Sequence, residues 1–192
     1  MLKFILSILL FVVLTVSCSR DYTPKPHGYF RIEFKEKTYH RLDSDAFPYN
    51  FDVPVYSKVE ADHDRNAEPF WINVDIPAHK ADIHISYKKV DKNNLAELLQ
   101  NSYKLAYNHT IKADAINERI YVNRAKKVYG TIYEIEGNAA SPLQFYLTDS
   151  VSHFIRGALY IREVPNIDSL RPVIDYLRPD VMRMIETTEW KR

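Results

Sequence analysis

The segment Thr148-Asp149-Ser150-Val151-Ser152-His153 sets a carboxylate, a hydroxyl and an imidazole close together in the chain. These are the groups of a serine hydrolase, in which a base activates the nucleophile and an acid orients the base. No Gly-x-Ser-x-Gly elbow surrounds Ser150 to present its hydroxyl. The same residues suit a turn between two strands, where Asp149 and Ser150 bond nearby amides. A second group is Asp62-His63-Asp64 with His79, Asp82 and His84. Its spacings match no metal-binding helix motif. Asp82 and His84 are two apart and share one strand face, but a third ligand is missing, so that face reads as solvated. His109, Lys112 and Asp114 follow a helix end, where a cation meets the partial negative charge of the helix. Arg156 falls on a strand near Tyr133 or Tyr146, as a buried pair or as a recognition residue. No glycine-rich phosphate loop or carboxylate pair stands out, and nothing argues for a cofactor or a metal.

The remaining reactive group is Cys18, the one cysteine of the chain. Lys3 supplies a positive start, Phe4 to Val16 is almost wholly apolar, and Ser17 precedes the cysteine. The apolar run is signal-peptide length, short of the roughly 20 residues that span a bilayer. The pattern resembles a bacterial lipoprotein signal, with Thr15 where leucine is usual. It implies cleavage before Cys18, a diacylglyceryl thioether on the thiol and acylation (palmitate among the acyl groups) of the new amino group. Two or more chains hold a protein stably where one does not. The expected plan is a signal peptide over 1–17, lipidated cysteine and tether over 18–27, and one globular domain over 28–192. Ser19 rather than Asp after the cysteine, and little acidity beyond it, point to the periplasmic face of the outer membrane.

Composition narrows the classes further. A hydrophobic content of 46% excludes a disordered chain, and a net charge of +1 gives no footprint for nucleic acid. With Cys18 acylated, packing alone must hold the fold. Fourteen tyrosines against four glycines fit a stiff, strand-rich domain.

The elements that position these residues follow from periodicity. Tyr29 to Phe34 alternates as a strand. Ala46 to Glu60, with Pro48 and Pro54, reads as edge strand and loop, and Glu60 to Glu68 as a turn. Phe70–Ile76 and Asp82–Lys88 form a hairpin through Pro77-Ala78-His79-Lys80, burying Ile72, Val74, Ile76, Ile83, Ile85 and Tyr87. A helix over Asn93–Asn108 carries Leu95, Leu98, Leu99, Leu105 and Ala106 at helical spacing, with Asp91 or Asn93 as its cap. Ile116–Asn123, Lys127–Glu136, Leu143–Thr148 and Phe154–Arg162 are strands, with Gly137-Asn138 as a turn. The last helix runs from about Ser169, as its cap, to Thr187. That start places Pro172 in the first turn, and Pro179 should bend or split the helix. Trp71 and Trp190 are the largest burial candidates, Trp190 pinning the last helix to the sheet. The class is α+β: a mostly antiparallel sheet, one mid-chain helix, and a long carboxy-terminal helix packed on the sheet. The layout resembles the α/β/α sandwich of the PsbP and Mog1 families.

Longer blocks carry a more specific likeness. Pro26-His27-Gly28-Tyr29-Phe30-Arg31-Ile32, Ala81-Asp82-Ile83-His84-Ile85-Ser86-Tyr87, Leu105-Ala106-Tyr107-Asn108-His109 and Gln144-Phe145-Tyr146-Leu147-Thr148-Asp149-Ser150 are four of them. His153-Phe154-Ile155-Arg156-Gly157-Ala158-Leu159-Tyr160 and the stretch from Pro165-Asn166 to Leu170 complete the set. Together they resemble the gliding-motility lipoprotein GldD family of Bacteroidota. The resemblance implies a component of the envelope machinery that moves adhesins along the cell surface and is coupled to type IX secretion. It implies no catalytic residues. The expected function is therefore a non-enzymatic accessory lipoprotein docking other gliding and secretion proteins, with no small-molecule substrate. The expected contact surface is the turn Asp149, Ser150 to His153 together with Arg156 and the polar face bearing His84 and Ser86. The competing functions are a periplasmic glycan- or peptidoglycan-binding module, motivated by exposed aromatic residues, and a hydrolase using Ser150 and His153.

Overall fold

The computed structural model describes residues 32–42, 46–108, 112–164 and 166–191. Cys18, the tether, Tyr29 to Arg31 and His109 lie outside the described residues. Four short strands open the described chain: β1 (Tyr39–Arg41), β2 (Tyr49–Asn50), β3 (Asp52–Pro54) and β4 (Lys58–Ala61). β5 (Ile72–Ile76) and β6 (Ala81–Lys89) follow, then helix α1 (Leu95–Tyr107). The chain continues as β7 (Ala113–Asn123), β8 (Val128–Gly137), β9 (Leu143–Thr148) and β10 (His153–Ile161). Helix α2 (Ile167–Thr187) and strand β11 (Glu189–Trp190) end it. The class is α+β, as the alternation of patterns predicts.

Seven strands form one sheet in the order β4-β5-β6-β10-β9-β8-β7. Every pairing in it is antiparallel. The hairpin of β5 and β6 turns through a 3-10 segment at Pro77–His79, and Lys80 takes a left-handed conformation to close it. β1 pairs with β3, and β11 pairs with β2, so two small ladders stand beside the main sheet.

Side chains two apart on a strand share a face, which sorts the sheet cleanly. One face carries Ile72, Val74, Ile76, Ile83, Ile85, Ile155, Leu159, Phe145 and Leu147. These pack in one cluster with Val173, Ile174, Leu177, Val181, Met184 and Ile185 of α2. Full burial of one such side chain is worth about 1.5–3 kcal/mol, so this face is the main source of stability. The other face alternates into Asp82, His84, Ser86, Phe154, Arg156, Ala158, Gln144 and Tyr146. It lies under α1, whose Leu98, Ser102 and Leu105 line a space shared with His84, Phe154 and Arg156. The helices therefore cover opposite faces of the sheet, a three-layer arrangement.

Three local expectations are corrected. Tyr29–Phe34 does not extend into a strand over 32–34: that stretch has no ladder partner, and Phe34 stacks on Tyr176 at 4.4 Å instead. α1 buries Ser102 and Ala106, while Leu105 stays 44% exposed at the edge of the cleft. The face of α1 turned to the sheet is thus more polar than leucine spacing alone suggests. α2 begins at Ile167, with Asn138 Oδ1 accepting the Ile167 amide at 2.9 Å, so Ser169 is not its cap. Pro172 is then interior, and the helix continues through both Pro172 and Pro179 without splitting. A proline removes one helical hydrogen bond. Here the bonds are lost on an exposed side, since Pro172 and Pro179 are both exposed, while the buried row holds the helix together.

Candidate functional site

The turn from Thr148 to His153 is built by its own polar groups. Asp149 Oδ1 accepts the amides of Val151 at 2.9 Å, Ser152 at 2.8 Å and His153 at 2.8 Å. Burial raises the energy of the Asp149 carboxylate, but these amides and the nearby His153 outweigh it and hold its pKa below the ordinary value. Ser150 has φ 65°, and its amide donates to Thr148 Oγ1 at 2.9 Å. A left-handed serine in such a tip is what a tight turn demands. His153 Nδ1 shares a hydrogen bond with the Tyr87 hydroxyl at 3.0 Å, and its ring stacks on Trp190 at 5.3 Å. Trp190 Nε1 donates to the Lys127 carbonyl at 3.0 Å, fixing the carboxy-terminal end of the chain against the sheet. The acid and the imidazole expected of a hydrolase are thus engaged in holding a turn and the adjoining end of two central strands.

The expected contact surface divides in two. His153 pairs with Lys89 and lies on the α2 side of the sheet, with Tyr87. Arg156 pairs with Ser86, and Ala158 with His84, on the α1 side. The odd and even positions of one strand cannot share a face, so Asp149, Ser150 and His153 form one feature and His84, Ser86 and Arg156 another.

The second feature is a cleft of about 390 Å³ between α1 and the floor of β6 and β10. His84, Ser86, Phe154, Arg156 and Tyr160 line the floor, and Asn101, Ser102 and Leu105 the helix wall. Trp71, Asp62, Asp64 and Lys88 complete the rim. Trp71 Nε1 donates to the Tyr87 carbonyl at 2.9 Å, which sets the orientation of the indole. Lys88 bonds Glu68 and lies 5.6 Å from the centre of the Trp71 ring. His84 meets Tyr160 edge-on at 5.2 Å. Arg156 Nη2 donates to Gln144 Oε1, beside the Tyr160 hydroxyl. Burial pushes the guanidinium below its usual value, since no carboxylate among the described residues forms an ion pair with it.

Of the residues considered as metal ligands, Asp62, Asp64 and His84 border this cleft, but among the described residues no three gather closely enough to hold an ion, and the others are engaged elsewhere. His79 packs edge-on against Tyr176 at 4.9 Å, Asp82 bonds Arg162 at 2.6 Å, and Asp62 Oδ1 accepts the Asp64 amide at 2.9 Å.

A third constellation escapes the sequence reading. Asp180 of α2 has no solvent exposure, yet it is an acid. Lys37 Nζ reaches Asp180 Oδ2 at 2.6 Å, the Tyr39 hydroxyl donates to Oδ1 at 2.9 Å, and the Tyr56 hydroxyl bonds Oδ2. The ammonium also sits 3.3 Å from the centre of the Tyr176 ring. Burial lowers the Lys37 pKa against the pull of Asp180, and burial followed by bonding to Asp180 raises those of Tyr39 and Tyr56. The local signal was an acid on the apolar row Leu177, Asp180, Val181, Met184. Its partner lies 143 residues away in the chain, where periodicity is silent.

Sheet, helices and cleft define a three-layer α+β domain with a cleft between helix and sheet that apolar and polar side chains line together. The family model of the gliding motility lipoprotein GldD matches residues 19–190, and the chain belongs to that family. Membership makes it an envelope-associated lipoprotein with an accessory role in gliding motility. No curated protein matches the chain. Among solved structures the chain is similar to cyanobacterial PsbP (CyanoP) from Synechocystis sp. PCC 6803. The identity is 12% and the TM-score 0.46, over 81% of this chain and 98% of that one. Among the described residues no helix is long and apolar enough to cross a membrane.

Proposed function

We propose that this protein is a non-enzymatic accessory lipoprotein of the gliding and type IX secretion apparatus, and that it works by holding a partner. Acyl chains on Cys18 anchor it, through the tether over 18–27, at the periplasmic face of the outer membrane in a Bacteroidota envelope. The globular part from 28 onward presents the docking surfaces. The observation that carries this reading is how the reactive groups are used. Asp149 caps amides and His153 braces Tyr87 and Trp190, whereas the Arg156 guanidinium faces an open cleft with no carboxylate partner among the described residues. A half-buried cation with no counter-charge among the described residues favours a site that an outside group completes.

The exposed tip of the turn, Val151 at 72% exposure, is the second contact point. The test is capture of the acylated full chain from crosslinked envelopes, comparing wild type with Arg156→Gln and Val151→Arg. A gliding or secretion component recovered with wild type and lost with either variant supports docking. Equal recovery with all three overturns it.

A further inference from the structure

We propose that the cleft between α1 and the floor of β6 and β10 binds an acidic saccharide, with its carboxylate seated on Arg156. The inference deepens the holding role above and rests on it. Three properties of the cleft select the ligand. The first is charge. Lys88 and Arg162 on this side of the sheet have carboxylate partners, Glu68 for the one and Asp75 and Asp82 for the other. Among the described residues Arg156 has only neutral ones, the Gln144 carbonyl and the neighbouring Tyr160 hydroxyl. Gln144 is 1% exposed, its oxygen is taken by Arg156, and its amide nitrogen has no partner among the described residues. A planar guanidinium matches a carboxylate in a two-point fork, which is stronger than either bond alone.

The second property is the rim. Asp62 and Asp64 face the same space and would repel a second acid, but they accept bonds from hydroxyl groups. Ser86, Asn101 and Ser102 both donate and accept. Trp71, held by its bond to Tyr87, offers a fixed aromatic surface for the flat, CH-bearing side of a sugar ring. One acid, several hydroxyls and one apolar face is the chemistry of a uronic-acid-type sugar. The volume falls within the range of small-molecule sites.

The third property excludes an added strand. β6 is flanked by β5 and β10, and β10 by β6 and β9. Both floor strands have their ladders filled on each side, so an extended peptide finds no open backbone edge there.

The test titrates the full chain, purified in detergent, with digalacturonic acid, with lactose as a neutral disaccharide, and with dialanine as a carboxylate on a peptide. The two tryptophans give two indole N–H resonances. Digalacturonic acid is expected to move the Trp71 signal and leave that of Trp190 in place. Arg156→Gln should weaken binding at least tenfold, and Arg156→Lys should restore part of it. An unmoved Trp190 signal in each variant reports an intact fold. The proposal is overturned if digalacturonic acid leaves Trp71 unmoved, if lactose matches it, if only dialanine binds, or if Arg156→Gln binds as wild type does. Failure here with the envelope partner still captured removes the ligand and leaves docking standing. Loss of capture with saccharide binding intact removes docking alone.

Discussion

Asp180 is the residue on which the amino-terminal segment depends. Its carboxylate is fully buried and answers to Lys37, Tyr39 and Tyr56, all contributed by the chain before β4. Removing one member of a buried ion pair leaves the other charge uncompensated, at a cost of about 3–5 kcal/mol. Asp180→Asn should therefore lower the unfolding free energy, read from a shift of the urea midpoint at unchanged slope, by an amount near the bottom of that range, since Lys37 keeps a quarter of its side chain in solvent. Adding Lys37→Met should recover part of the loss. A double variant less stable than Asp180→Asn would show that the pair is not coupled.

His153 predicts a pH dependence with a definite sign. Burial holds its pKa below the ordinary 6.5, with the charge of Asp149 pulling the other way. Burial, followed by the charge of Lys37, does the same to His79. The unfolded chain therefore takes up protons that the folded rings resist. The stability is present above about pH 6.5 and lost as the pH falls below it. Melting temperature should drop between pH 8 and 5.5, and His153→Phe, which keeps a ring against Trp190, should flatten that slope. An unchanged slope would mean that His153 is not the titrating group.

At this scale the sequence is legible where chemistry is local. Asp149 and Ser150 make the turn their types imply, because Asx and Ser side chains reach amides within a few residues. It is silent where partners are distant. Nothing near Asp180 in the chain names Lys37, and nothing near Arg156 names Gln144 as the group that orients it.

At the scale of elements, the central strands owe their fit to one absent side chain. Gly157 of β10 pairs with Phe145 of β9, and the Phe145 ring lies across it where any Cβ would overlap the ring. Gly157→Ala should cost about 1–3 kcal/mol through forced displacement of Phe145, read as a lower denaturant midpoint at unchanged slope. Adding Phe145→Leu should recover part of it. No loss in Gly157→Ala would show that the sheet relaxes freely at this crossing.

The hairpin of β5 and β6 was legible because alternation with one wet face allows a single register. The start of α2 was not, because the first amide is satisfied by Asn138, a residue outside the helix. The polar seam under α1 was likewise hidden. Leucine spacing marks a helix but not which leucines face a cleft.

For the whole molecule, the two faces of the sheet divide the work. The α2 face carries the apolar cluster, and the α1 face carries the cleft. Such a division lets the binding face change without loss of the fold, since stability is concentrated on the other side. On the proposed function, this protein serves motility by binding through the α1 face and not by catalysis. The most direct measurement is gliding of a host that lacks its own copy and carries Arg156→Gln at wild-type abundance and envelope anchoring. Loss of gliding is expected, partly restored by Arg156→Lys. Gliding at the wild-type rate with Arg156→Gln would contradict it.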